Sequence, residues 1–191
     1  MQRIIAFCLL VLLSPFLILL FLIVKLTSKG SFLFKQKRLG KDKEPFYIYK
    51  IRTMVIDAEN KKSGLKDKNE ADGPVFKIRN DPRYTKFGCF LAHSGLDELP
   101  QLWNIVRGEM AFVGPRPFPV VEALKIPKKY QERFSVLPGI SSPWVIEGTD
   151  HSSFTNWMEL DLQYVKERSL WYDVNIFFRT MFILIKLIFE K

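Results

Sequence analysis

Apolar residues crowd the two ends of the chain, and the stretch between them mixes short apolar blocks with charged ones. From Ile4 to Val24, roughly 21 consecutive positions carry no charge. A helix of that length reaches across about 30 Å of hydrocarbon. A cleaved signal sequence needs small residues after its apolar region, and Leu22-Ile-Val-Lys-Leu26 supplies none. Ser14-Pro15 interrupts the run near its middle. Pro15 cannot donate to the carbonyl of Val11 and its ring crowds that turn. In lipid the freed carbonyl needs a local partner, and the Ser14 hydroxyl is the nearest.

Both flanks of the run are basic. Arg3 precedes it, and Lys25, Lys29, Lys35, Lys37, Arg38, Lys41 and Lys43 follow. Positive flanks favour the cytoplasmic side. A helix broken at Ser14-Pro15 that leaves by the leaflet it entered satisfies both flanks. A kinked single span satisfies only the heavier, C-terminal one. The residues alone leave these two topologies open, with a buried soluble helix as a third. At the other end, Asn175 to Glu190 is apolar but too short and too charged to span. Arg179, Lys186 and Glu190 fall near one helical face. That pattern suits a helix lying in the interface or packed on a membrane element, or else a buried core helix.

The middle reads as a small mixed domain. Phe46 to Met54 is aromatic and β-branched and predicts a strand. Asp57 to Glu70 predicts a helix start followed by a mobile loop. Asp72-Gly73-Pro74 and Asn80-Asp81-Pro82 predict turns. Tyr84 to Ala92 predicts helix, as does Glu98 to Val106, with Leu99, Leu102, Trp103 and Val106 on one face. Three prolines make Val113 to Pro119 a stiff extended loop. Val120 to Phe134 predicts a helix broken at Pro127, Trp144 to Ile146 a short strand, and Trp157 to Ser169 a helix.

At 191 residues, there is room for one domain plus an appendage. The charge of +9 favours phosphate-bearing partners: nucleotides, lipid headgroups or nucleic acid. Nucleic acid is disfavoured, because the basic residues crowd just after the apolar run, where anionic lipid lies. Cys8 and Cys89 are too few and too distant in sequence for a disulfide scaffold or a cysteine metal cluster.

Asp97-Glu98 lies between Gly95 and Pro100, a proline tolerated only in the first turn of a helix. A carboxylate at that helix start is favoured in its ionised form, which suits a nucleophile or a metal ligand. An ordinary N-cap gives the same pattern. Arg116, flanked by Pro115 and Pro117, presents a guanidinium with little entropy to lose, suited to phosphate or nucleobase recognition. A rigid surface corner is the plain alternative. Lys50 and Arg52 share one strand face and Gln36 and Arg38 another, and either pair could line a phosphate site. Asp161 and Asp173 are possible supporting carboxylates for Mg²⁺ beside Glu98. His93 and His151 lack ligand partners at metal spacing.

Several blocks, in order, resemble the bacterial sugar transferases, the monotopic phosphoglycosyl transferases. They are Ser14-Pro15, Phe34-Lys-Gln-Lys-Arg-Leu-Gly40, Tyr49-Lys-Ile-Arg-Thr-Met54, Leu96-Asp-Glu-Leu-Pro-Gln-Leu-Trp-Asn104, Arg107-Gly-Glu-Met110, Val113-Gly-Pro-Arg-Pro117 and Pro138-Gly-Ile140. Leu160-Asp161, Tyr164-Val165, Ser169-Leu170 and Asp173 complete the match, which covers nearly the whole chain. The resemblance implies transfer of a sugar 1-phosphate from a UDP-sugar to polyprenyl phosphate, releasing UMP. It implies Asp97 as nucleophile, Glu98 as a Mg²⁺ ligand, and a nucleotide site shaped by Arg116 and its prolines. It favours the re-entrant topology.

The expected fold is therefore helix-rich mixed α/β and monotopic. Residues 1–28 form a re-entrant helix, and residues 29–191 a small cytoplasmic catalytic domain with interfacial amphipathic helices. The expected location is the cytoplasmic face of a bacterial inner membrane. Anionic lipids, a second copy of the chain and later glycosyltransferases are expected partners. The family pattern has arginine where this chain has Ala92, Leu137 and Thr149, with Arg79, Arg83 or Arg133 as candidates to compensate. A catalytically weak scaffold of a glycan-assembly pathway is the competing reading.

Overall fold

The computed structural model describes residues 1–146 and 153–189, the side chains of 187–189 excepted. Two helices open the chain, α1 (Gln2–Leu12) and α2 (Ser14–Thr27), and they meet at Leu13 with a bend of 58°. The Ser14 hydroxyl donates to the Val11 carbonyl at 2.7 Å, replacing the amide that Pro15 lacks. Among the described residues no single helix is long and apolar enough to cross a membrane, while the bent pair taken together has that length and composition.

A hairpin follows, β1 (Leu33–Leu39) with β2 (Pro45–Ile51), antiparallel with Gln36 opposite Ile48 and Arg38 opposite Phe46. Next come α3 (Ala58–Lys62) and a 3₁₀ segment, Ser63–Lys68, so the loop expected after Asp57 has helical turns of its own. Helix α4 (Lys86–Ser94) ends on Gly95, which takes a left-handed φ of 71° and turns the chain into Leu96. The helix expected from Glu98 starts as a 3₁₀ segment, Leu96–Gln101, and becomes α5 (Leu102–Arg107). Pro100 explains the change, because it removes one amide and crowds the preceding turn.

Strand β3 (Ala111–Val113) leads into the proline loop, then α6 (Val120–Ala123) and a 3₁₀ stretch, Lys128–Ser135. The helix expected from Val120 to Phe134 with a break at Pro127 is two short pieces with Pro127 between them, the second of them 3₁₀. Strand β4 (Gly139–Ser141) pairs parallel to β3. Trp144 to Ile146, expected as strand, is instead the helical turn α7 (Pro143–Ile146). The parallel pairing is used up at Ser141, Pro143 starts a helical turn readily, and Trp144 turns to stack on Trp157 at 5.1 Å. Helices α8 (Phe154–Glu167) and α9 (Leu170–Phe189) close the chain.

Helices α1 and α2 are stitched to the body of the fold. Ala6 packs with Phe46, Ile48, Leu102 and Ile105, and Leu20 and Val24 pack with Ile51 and Leu91. Burial of a leucine or valine is worth about 2 kcal/mol, so these contacts fix α1 and α2 against β2, α4 and α5. Their other faces are apolar and exposed, at Ile4, Phe7, Leu12, Ile18 and Leu22. Helix α9 is divided likewise. Ile176 and Thr180 are buried, while Phe178, Phe182 and Ile185 are exposed, so it is not a buried core helix. Glu190, expected on its charged face, lies outside the described residues.

Candidate active site

Asp97 and Glu98 leave the left-handed Gly95 in the first turn of the 3₁₀ segment, which packs on β2. Lys50, near the end of β2, reaches both carboxylates, at 2.7 Å from Glu98 Oε1 and 3.4 Å from Asp97 Oδ2. Arg116 closes on Glu98 from the proline loop, with Nη2 at 2.5 Å from Oε1 and Nη1 at 3.5 Å from Oε2. Two carboxylates and two cations far apart in sequence therefore form one cluster.

The two acids have unlike environments. Burial, reinforced by the charge of Glu98 and opposed by Lys50, pushes the Asp97 carboxyl up to about 6. Glu98 is buried as well, but Arg116 and Lys50 outweigh that and hold it well below the usual carboxylate range. Helix-start electrostatics alone favour an ionised, unperturbed Asp97; burial makes it a raised carboxyl that is still largely ionised at neutral pH. Glu98 in turn holds the Arg116 guanidinium firmly charged.

Arg38 supports the same site. It donates to the carbonyl of Pro117 and, at 2.9 Å, to Gln36 Oε1, and its buried Nε has no partner. Burial and the neighbouring Arg116 lower it to about 10, still charged at neutral pH. Among the described residues no carboxylate pairs with it directly, so a cation remains beside Arg116 for an anionic ligand.

Three expected site residues sit elsewhere. Arg52 shares strand parity with Lys50 but donates to the carbonyl and hydroxyl of Ser28, holding the end of α2. Asp161 is fully buried and engaged by Arg133 and the Trp144 indole, and Asp173 accepts from the Tyr164 hydroxyl at 2.7 Å. Neither is gathered with Glu98, and no group of three or more acidic, His or Cys residues forms a metal cluster among the described residues. Arg83 is tied to Asp81 and Arg133 to Asp161, so of the candidates to replace the family arginines only Arg79 is exposed. Leu137 borders a cavity of about 420 Å³ at the start of α1, Ala92 is half-buried on α4, and Gly148, Thr149 and His151 lie outside the described residues.

Two residues escape a reading by motif. Tyr84 lies within reach of the Asp97 charge, which together with burial pushes its phenol up to about 12. Lys77 is half-buried over the Trp157 ring at 5.4 Å, and burial and the Arg116 charge lower it. The signal available for both is proximity in the chain to the Asn80-Asp81-Pro82 turn.

A family model described as bacterial sugar transferase matches residues 1–187. The galactosyl transferase CpsE of Streptococcus agalactiae is 37% identical over 86% of this chain and 37% of its own length. The UDP-glucose:undecaprenyl-phosphate glucose-1-phosphate transferase of Escherichia coli is 36% identical over 94% of this chain and 38% of its own. The chain thus spans less than half the length of these two relatives. The exopolysaccharide production protein ExoY of Rhizobium meliloti is nearer in size: 35% identical over 90% of this chain and 78% of its own length.

Proposed function

We propose that this chain, which belongs to the bacterial sugar transferase family, moves a sugar 1-phosphate from a UDP-sugar to polyprenyl phosphate and releases UMP. The observation that supports this most directly is the buried Asp97 carboxylate, paired with Glu98 and faced by Lys50 and Arg116. Related transferases carry the names of this donor and acceptor class.

In the proposed reaction an Asp97 oxygen bonds to the sugar-bearing phosphorus of the UDP-sugar. The bond from that phosphorus to the UMP oxygen breaks, and UMP leaves with the electron pair. A phosphate oxygen of the polyprenyl acceptor then attacks the aspartyl phosphosugar and frees the carboxylate. Lys50, Arg116 and Arg38 neutralise the charge of the diphosphate, and Pro115 and Pro117 hold Arg116 in place. Glu98 aims Lys50 and Arg116 and keeps the Arg116 guanidinium charged.

The residues also fit Mg²⁺. Two adjacent carboxylates, with Glu98 Oε2 engaged only at 3.5 Å, match an ion that takes one or two carboxylates and completes its shell with water and substrate phosphates. Glu98, with Asp97 alongside, would hold it, and the ion supplies charge neutralisation at the phosphoryl group. UMP release across a panel of UDP-sugars, with purified protein and polyprenyl phosphate in detergent or vesicles, tests this function. Release with at least one sugar is expected, and none with any sugar leaves the scaffold reading.

The apolar outer faces of α1, α2 and α9 support a re-entrant, monotopic seat on the cytoplasmic face of a bacterial membrane, against anionic lipid. A long acceptor lipid would then meet the carboxylates at the surface. A second copy and later glycosyltransferases are natural neighbours for such a seat. Pro15→Leu restores the amide to Val11 and removes a ring clash of about 3 kcal/mol. The straightened helix is long enough to span, so a cysteine tag before Arg3 should become partly labelled by an impermeant reagent from outside. Wild type should stay unlabelled; labelling of the wild-type tag replaces the re-entrant reading with a single span.

A further inference from the structure

A loop with prolines at 115, 117 and 119 has few amides with which to hold itself, so its shape must come from groups that capture its carbonyls. Almost every carbonyl from Val113 to Pro119 is captured from outside the loop. The Tyr164 hydroxyl reaches Val113 O at 3.1 Å, and the Gly139 amide donates to Pro115 O at 3.1 Å. Arg133 donates to Arg116 O at 2.6 Å, Arg38 to Pro117 O, and the Leu39 amide to Phe118 O at 3.3 Å. Only glycine fits where the loop passes β4, since a Cβ on Gly139 would stand 2.1 Å from the Gly114 nitrogen.

The contact at Arg116 O is the most elaborate. The Arg133 side chain is 2% exposed and its partner Asp161 0%. Arg133 Nε and Nη2 lie 2.9 Å and 2.8 Å from Asp161 Oδ2, and the guanidinium sits 4.7 Å from the Phe118 ring centre and 5.2 Å from that of Phe134. Asp161 is fixed on its other oxygen by the Trp144 indole at 2.8 Å. Burying such a pair is often no more stable than an apolar replacement, so its worth lies in fixing one geometry.

We infer that Asp161 and Arg133 are positioning residues for the transfer reaction: they lock the backbone at Arg116 so that its guanidinium meets Glu98. The chain of contacts runs from Trp144 and Asp161 through Arg133 to Arg116 O, and from the Arg116 side chain to Glu98 and Lys50. Asp161 therefore acts at a distance from the phosphates and not as a metal ligand. This rests on the proposed function for its catalytic consequence, while the lock itself is a property of the fold.

Arg133→Lys keeps the charge but loses the planar fork that serves carboxylate and carbonyl at once. It should lower kcat/KM for the UDP-sugar about tenfold, as a small displacement of a binding group does. In an Arg116→Ala background the same change should cost less than about twofold, because the group it positions is gone. Fully multiplicative losses would overturn the inference. Amide hydrogen exchange gives a readout independent of chemistry. Residues 111–119 should exchange faster in Arg133→Lys while α4 keeps wild-type protection; no change in the loop, or a uniform rise along the chain, overturns it. Trp144→Phe, which removes one bond to Asp161, should show a smaller effect of the same pattern and serves if the lysine variant does not fold. Should wild type release no UMP, the function falls while the exchange data still judge the lock.

Discussion

Asp97→Asn is expected to lose UMP release by several orders of magnitude while keeping the fold, because an amide cannot form the acyl phosphate. Wild type incubated with labelled UDP-sugar should carry a phosphosugar on Asp97, and an adduct on any other residue would falsify the assignment. The same residue sets a stability signature. Its carboxyl ionises at about 6 in the fold, against 3.8 for an ordinary aspartate. The folded state thus holds this proton more tightly than the unfolded chain. Ionisation of Asp97 therefore costs stability, the cost growing as pH rises from about 4 to 6 and staying level above. At neutral pH it amounts to at most about 3 kcal/mol. In metal-free protein the stability of wild type relative to Asp97→Asn should fall across that window, and the asparagine variant should unfold no earlier than wild type at pH 7. Denaturant titrations at pH 4, 5, 6 and 7 check this; a flat difference means Asp97 is not a raised carboxyl. The Asp97 carboxylate is held ionised at the expense of the fold.

Much of this arrangement is legible in the residues, and the part that is not follows one rule. Local chemistry reads well. Pro15 breaks the first helix because it lacks an amide, Ser14 takes the orphaned carbonyl, and Gly95 with Pro100 sets the acidic pair at a helix start. Pro115 and Pro117 likewise announce a rigid Arg116. Partnerships across the chain do not read. Asp161 looks like any other carboxylate that might hold a cation until Arg133, 28 positions away, is seen to own it. Arg52 shares parity with Lys50, yet the end of α2 captures it and leaves Lys50 alone with the carboxylates. Trp144 to Ile146 has strand composition, but its fate was decided by β3, which pairs with Gly139–Ser141 instead. Tyr84 and Lys77 carry no motif, and only the folding of their segment brings them to the site.

Glu98→Gln should damage rate and stability together. Glu98 is shared by two cations, Lys50 at 2.7 Å and Arg116 at 2.5 Å, and its side chain is 14% exposed. Removing one partner from a buried ion pair commonly costs about 3 kcal/mol, because the other charge stays behind unpaired. Lys50 would then turn wholly to Asp97, whose carboxyl stays raised by burial but loses a repelling neighbour and with it part of its raised affinity for a proton. Asp97 becomes more fully ionised, but it is locked to the lysine, and Arg116 loses the group that aims it. UMP release should fall at least about a hundredfold, the scale of a misplaced reacting group. Glu98→Asp separates charge from reach: it should regain most of the stability and little of the rate. If Mg²⁺ is held here, EDTA should stop the wild type and added Mg²⁺ restore it, whereas wild-type turnover unaffected by EDTA removes the ion from the scheme. A glutamine variant with wild-type rate would show that Glu98 serves the fold alone, and the pairing of Arg116 with Glu98 would then have no part in the transfer.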